Sequence, residues 1–440
     1  MTANNDSEAR RPVPENEYSI FEHHEVIIIG AGPTGLFTAL RIAQADVDVC
    51  VMEAEPGIVN SPRATTYMPI VCNEFEKAGI YEDVIARGHK NTEGISFRTS
   101  FAKGDKVLAR LQMSQVPKGQ HKYDFAGIHM GQHELAKIIL EHCNEHPQNF
   151  SVKWRHRFAG AKNRDDGKIE LVTLTDRGEK WFTCDYLIGC DGAGSSVRRS
   201  QCIQFDGFTW QDFRFIASNV QYDFEQFEGW TTANMIVDEN NWAVIARTGK
   251  PEEGIWRVAY GIDGKIPDAE ATKSLPEKYE SLLPGPRPLK YKVVNANPYW
   301  AHQRCASKFR NGNIILCGDA AHSNNPIGGL GLTSGLLDSS AISNCLIRIL
   351  RGKEKDADAL IHRYCQVRRD SFLKFTNPQS IDFKLRVHSM DPKTTEERDF
   401  FFDKLNNDPE FVNAIASSMN EFMDDGFEIP ADSVVSDNIN

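Results

Sequence analysis

Nothing in this 440-residue chain approaches the roughly 20 consecutive apolar residues that a membrane-spanning helix requires. An apolar core is equally missing from the first twenty-odd residues, where Asn4-Asn5-Asp6-Ser7-Glu8 and Arg10-Arg11-Pro12 stand, so no secretory signal is read there. A cytoplasmic protein without a membrane partner is the expectation. Positive charge is scarce too: 50 Lys and Arg face 61 Asp and Glu, a net −11. Binding a phosphate backbone needs the opposite balance, so nucleic acid is excluded as a partner. The ten cysteines include no Cys-x-x-Cys pair, and most sit in apolar runs such as Val49-Cys50-Val51. They read as buried, reduced thiols, and no metal site is expected. Neither Gly-x-Ser-x-Gly nor a metal-ligand spacing occurs, which removes the serine-hydrolase and metalloenzyme readings.

What is present begins with a glycine fingerprint, Gly30-Ala31-Gly32-Pro33-Thr34-Gly35. The run from Glu25 to Ile29 before it has the pattern of a fully buried strand. After it, Leu36, Phe37, Leu40 and Ala43 recur at helical spacing. Val47, Val49 and Val51 then alternate as a second strand that ends at Glu53, and Asp46 occupies the intervening turn, where a left-handed backbone is expected. In this strand–turn–helix context each part has a task. Gly30 permits the tight turn, Gly32 lets the backbone approach a pyrophosphate, and Gly35 allows close helix–strand packing. Glu53 is positioned to accept hydrogen bonds from ribose hydroxyls. The fingerprint alone would suit NAD or FAD.

A second motif, far downstream, decides between them. Asn313-Ile314-Ile315-Leu316-Cys317-Gly318-Asp319-Ala320-Ala321-His322 reads as a buried strand ending in Gly-Asp. Asp319 at that strand end can accept from ribityl hydroxyls. The glycines up to Gly331 leave backbone N–H groups uncovered ahead of a helix, which suits the negative charge of a reduced flavin. An early turn for the ADP half and a late turn for the ribityl end together indicate FAD.

These motifs resemble those of the single-component flavoprotein monooxygenases of the para-hydroxybenzoate hydroxylase type, over roughly residues 24–350. Arg63 in Ser61-Pro62-Arg63-Ala64 matches an arginine that the family places near the FAD phosphates, and Gln132 matches a FAD-contacting glutamine. The run from Asp185 to Arg198, with Asp191 and Gly192, matches the family's Asp-Gly motif, associated with FAD and the nicotinamide nucleotide. Gly318-Asp319, followed by Pro326 and by Gly328-Gly329-Leu330-Gly331-Leu332, matches the flavin-side motif. The resemblance implies FAD-binding residues Gly30, Gly32, Pro33, Thr34, Gly35, Glu53, Arg63, Gln132, Asp191, Gly192, Gly318, Asp319, Gly329, Gly331 and Leu332. The Pro326 backbone would lie on the oxygen-reactive face. Asn324-Asn325 replaces the family's more usual apolar stretch, so a more polar pocket mouth is expected.

The fold class that follows is α/β: a Rossmann-like FAD-binding domain (residues 23–200 and 297–352), an inserted antiparallel β-sheet substrate domain (201–296) and a helical C-terminal region (353–425). A disordered tail is expected over 1–22 and a loose acidic tail over 426–440. Residues 94–120 read as mixed and turn-rich. The resemblance further implies non-covalent FAD, NADPH or NADH as co-substrate, O2 as oxidant and a small aromatic, phenolic substrate hydroxylated through a flavin C4a-hydroperoxide. A homodimer is the assembly left open. Epoxidation, Baeyer–Villiger insertion or dehydrogenation on the same fold stay open as alternatives. So does a non-enzymatic binding module, against which Gly318-Asp319 weighs.

Overall fold

The computed structural model describes residues 21–112, 126–418 and Phe427. Of the tail expected for 1–22 only Phe21 and Glu22 are described, and Glu22 already opens the first strand. Of the acidic tail expected for 426–440 only Phe427 is described. It is not loose, being 2% exposed beside the ring of Tyr364. The remaining residues of both expected tails lie outside the described residues.

The first strand, Glu22–Ile29, pairs in parallel with Val49–Glu53 on one side and Gly178–Gly189 on the other. Phe150–Trp154 and Ile314–Leu316 extend the parallel sheet outward, so the downstream motif ends two strands from the glycine turn. Residues 157–189 make an antiparallel meander whose last member is a single 12-residue strand, Gly178–Gly189. Pairing with the buried first strand carries it through without a break.

The helix Pro33–Ala43 is buried almost all round, including Thr38 and Ala39 opposite the expected apolar stripe. Its outer side is covered by the long helix Leu330–Leu350. Small residues set the separation of the two helices. Ser339 Oγ donates to Thr34 O at 3.0 Å, and a Cβ on Gly335 would meet Thr34 Oγ1 at 2.9 Å. Asp46 adopts the left-handed backbone anticipated from its place in the turn, with φ 60°.

A seven-stranded sheet forms the other half of the molecule, in the order Lys292–Tyr299, Phe213–Gln221, Ile255–Asp263, Ala243–Arg247, Ala233–Val237, Ile95–Thr99, Val107–Leu111. The last two strands come from the stretch read as mixed and turn-rich. Ile95–Thr99 lies parallel to Ala233–Val237, a long-range pairing that no local pattern announces. One face of this sheet carries Ile216, Val220, Ile236, Ile245, Trp256, Val258 and Tyr260, which pack with the helix Leu275–Leu282. The alternate residues face the other way, as strand geometry requires. C-terminal helices Ala357–Ser371, Asn377–His388, Pro392–Asn407 and Pro409–Ser418 follow, the first two joined by a π-helical turn at Phe372–Thr376. Among the described residues no helix is long and apolar enough to cross a membrane.

One cation is buried in that C-terminal packing. Lys384 has no exposed surface, and its Nζ stands over Phe213 at 3.9 Å, Trp210 at 4.9 Å and Trp242 at 5.2 Å while donating to His388 Nε2. Burial pushes the lysine down to about 7, against a partial offset from Asp212. Its ordinary value is about 10.4. A lysine lowered in the folded state costs stability fully below its folded value, and the cost fades as pH rises towards the unfolded one. Lys384→Met should therefore raise the melting temperature at pH 6 clearly more than at pH 9. A gain that is flat across this range would show that Lys384 does not titrate there.

Candidate active site

The glycine turn is built as close packing demands. Gly30 has φ 111°, and a Cβ there would meet Cys190 O at 2.5 Å; one on Gly35 would meet Gly30 O at 2.0 Å. Gly32 differs, since nothing stands within 4 Å of its missing Cβ. Pro33 opens the helix and no side chain caps it, so its first-turn N–H groups face that open space. An uncapped N-terminus beside a bare glycine is an anion cradle. Glu53 borders it: one carboxylate oxygen accepts from Ala31 N at 2.8 Å and the other from Glu55 N at 2.9 Å. The residues present thus fit an ADP-type group.

Asp191 does not join them through its side chain. Its oxygens accept from Ser195 Oγ at 2.5 Å, Ser196 N at 2.6 Å, Ser196 Oγ at 2.8 Å and Val197 N at 3.1 Å. The carboxylate is spent holding its own loop, and the neighbouring Cys190, Gly192 and Ala193 line the cavity instead. Arg198 then ties this loop to the downstream motif, donating to Ala193 O and Ala320 O, each at 2.8 Å.

Behind the Gly318–Ala320 turn lies a buried ion cluster. Asp338 Oδ2 accepts from Gly318 N at 3.1 Å and meets His322 Nε2 at 2.6 Å, while Oδ1 accepts from Arg368 Nε at 2.6 Å. Burial would raise the Asp338 carboxyl, but His322 and Arg368 outweigh it and hold it below the usual range. His322 is 1% exposed and stacks on Phe372 at 4.6 Å, away from the cavity, so its place is structural. In front of the turn, Asp319 points into the cavity. Its accessible surface is cavity surface, and burial raises its carboxyl despite His322 and Arg63 nearby.

The cavity, of about 570 Å³, runs from this turn to the seven-stranded sheet. At the motif end Gly32, Pro33, Thr34, Arg63, Gln132, Asp319, Gly329, Gly331 and Leu332 line it. Gly329, at φ 69°, precedes a helix that no side chain caps, so further free N–H groups face this end. At the far end the wall is the second face of the sheet: Phe97, Phe215, Met235, Val244, Ala246 and Ala259. Phe383, Phe401, Leu405 and Ile415 of the C-terminal helices close it. Strand alternation hints at the sheet residues; nothing local signals the helical ones. Arg257 and Tyr299 also line the wall and have no signal in the sequence, whereas Tyr222 and Arg247, two further polar residues of this sheet region, lie outside the lining. Arg247 is buried in an ion pair with Glu225.

The expectation of a polar mouth at Asn324-Asn325 holds only in part. Both asparagines border the cavity, but Asn325 is fully buried and its side chain is tied to the protein. Its N and Nδ2 donate to Gln303 Oε1 at 2.7 and 3.0 Å, Nδ2 donates to Ser380 O at 2.8 Å, and its Oδ1 accepts from Ile327 N at 3.1 Å. Pro326 is thereby pinned on both sides and exposed to the cavity, with its carbonyl accepting from Gly329 N at 3.2 Å. One lone pair of that carbonyl remains for a ligand.

A family described as FAD binding domain matches residues 23–376. The para-nitrophenol 4-monooxygenase of Pseudomonas sp. (strain WBC-3) is 36% identical over 384 residues, 87% of this chain and 92% of the relative. The 6-hydroxy-3-succinoylpyridine 3-monooxygenase HspB of Pseudomonas putida (strain DSM 28022 / S16) is 32% identical, over 83% of this chain and 90% of its own. Among solved structures, p-nitrophenol 4-monooxygenase PnpA from Pseudomonas putida DLL-E4 superposes with a TM-score of 0.85 at 33% identity, covering 91% of this chain and 98% of that one.

Two predictions follow from this geometry. Glu53→Ala removes both the Ala31 bond and the acceptor for ribose hydroxyls, so FAD affinity measured by flavin-fluorescence titration should fall about 10- to 100-fold. Unchanged affinity would place the ribose elsewhere. Asn325→Ala should release the Pro326 segment: FAD affinity stays within about threefold, but H2O2 formed per NAD(P)H consumed rises because the substrate leaves its reacting geometry. An unaltered ratio would leave Asn325 without a part in oxygen transfer.

Proposed function

The chain belongs to the FAD binding domain family and is an FAD-dependent monooxygenase, and from that premise we propose that it hydroxylates a small phenolic compound at the expense of NAD(P)H and O2. The observation that carries this reading is the continuity of one cavity between the flavin-side motif and an apolar sheet face. When bound, FAD would supply the redox chemistry that links NAD(P)H to O2. The chain's own residues do the rest. The open N-terminus at Gly32 and Pro33 would hold the pyrophosphate, with Arg63 and Gln132 beside it; Glu53 would take the ribose and Asp319 the ribityl chain. Uncapped N–H groups after Gly329 stabilise negative charge on the reduced ring. Asp191 and Gly318 act through the backbone they shape.

The substrate end excludes water by its composition. Phe97, Phe215, Met235 and Val244 on the sheet and Phe383, Phe401 and Leu405 on the helices offer an aromatic ring apolar contact on two sides. Substrate names of the relatives, a nitrophenol and a hydroxypyridine, describe rings of this size and support the reading. We take the division into a FAD domain (23–200, 297–352) and a substrate domain (201–296) as part of the proposal, with the strands at 95–111 lending two members to the substrate sheet. The same reading takes a cytoplasmic setting, in keeping with ten free cysteines, and a homodimer as the assembly.

The test is turnover of purified FAD-loaded protein with a panel of phenols under labelled O2. Stimulated NAD(P)H oxidation with one labelled atom in the product is expected. Oxidised product that carries no label would make the enzyme a dehydrogenase and overturn the proposal.

A further inference from the structure

Arg257 is the most unusual residue of the cavity wall. It sits on the strand Ile255–Asp263, one residue after the core residue Trp256 and so on the opposite face, beside Ala259. Only 7% of it is exposed. Its Nε donates to Asn219 Oδ1 at 2.9 Å and its Nη1 to the Arg63 carbonyl. Both acceptors are neutral. No carboxylate pairs with it among the described residues, and Nη2 has neither a partner nor a place among the fully enclosed unpartnered atoms. Nη2 is therefore the corner of the guanidinium that reaches the cavity.

A buried cation without a counter-ion is costly, and structures retain one where an anion completes it. Among the described residues, the groups around it supply none. The ionisable groups near Arg257 are Tyr67, Tyr299, Arg63 and His133. Burial raises both tyrosines beyond ordinary pH, so they stay neutral. Of the other polar groups in the wall, His129 is buried and pushed down to about 3, hence uncharged. Asp319, the one carboxylate of the lining among the described residues, belongs to the ribityl end. Arg257 itself is lowered by burial only to about 10, so it remains a cation at neutral pH.

We propose that Arg257 determines specificity by selecting the anionic form of the aromatic ligand, so that the cavity takes phenols acidified enough to bind as phenolates, their negative oxygen paired with the free corner of the guanidinium. The inference rests on the phenolic reading above and narrows it. A phenolate brings the missing charge, and its ring remains against the apolar wall. A neutral phenol of the same shape leaves the cation unpaired and gains only the ring contacts.

The experiment is equilibrium binding to FAD-loaded enzyme, read from perturbation of flavin absorbance, without NAD(P)H and therefore without turnover. The probes are 4-nitrophenol, followed across the pH range in which it ionises, and 4-hydroxybenzamide, a planar phenol that stays neutral there. Wild type should bind 4-nitrophenol about 10- to 100-fold more tightly once ionised, the range expected of a charge-assisted bond, with the amide nearly flat. Arg257→Met should abolish that preference and leave the amide within about threefold, and Arg257→Lys should restore part of it. FAD affinity and melting temperature, measured alongside, report on folding. Equal affinity of wild type for both forms of 4-nitrophenol would overturn the proposal. So would an Arg257→Met variant that weakens both probes equally or loses FAD, since Arg257 would then only brace the Arg63 segment. Failure of oxygen incorporation with phenolate selection intact would instead overturn the hydroxylase reading alone.

Discussion

The buried carboxylate of Asp338 is the point on which the site depends. It receives Gly318 N–H, His322 and Arg368 at once, and so joins the end of a sheet strand, the turn after it and two helices. Removing one partner of such a cluster leaves an uncompensated charge, typically a loss of about 3–5 kcal/mol. The benefit is placement. With Gly318 held from behind, Asp319 has no route but forward into the cavity, and Arg198 couples the same turn to the Asp191 loop through Ala320 and Ala193. Three segments distant in the chain therefore act as one rigid floor.

Polarity is distributed by the same logic. Buried polar side chains near the site are consumed in backbone-shaping bonds: Asp191 by its own loop, Asn325 by Gln303, Ser380 and Ile327. What is left facing the cavity is sparse and divided by position. Arg63, Gln132, Asp319 and free helix N–H groups stand at one end, and a mainly apolar face that holds Arg257 stands at the other. Few polar groups in a dry wall discriminate strongly, because each is costly when unmatched. The C-terminal helices complete this division, since Phe383, Phe401 and Leu405 close the apolar end while Ser380 and Asn377 of the same region brace the loop beside Pro326.

The chain's local rules carried the cofactor half. Gly30, Gly32 and Gly35 are dictated by a turn only a few residues long, and their close approaches and open space are present as spacing predicts. The left-handed Asp46, the helix after the glycine turn and the buried strand before Gly318 were legible for the same reason: backbone sterics and periodicity act over one or two turns. The substrate half was decided by tertiary structure. Ile95–Thr99 joins the substrate sheet only because Ala233–Val237 lies beside it, and the pocket side of Arg257 follows from which face the helix Leu275–Leu282 covers. That Asp191 is a loop brace and Asn325 an internal tie could not be read from a motif, because a motif names residue types while hydrogen-bond partners come from segments brought together by folding. Short-range sterics are written in adjacent residues; the direction in which a buried charge is left unpaired is written only in the packing of the whole.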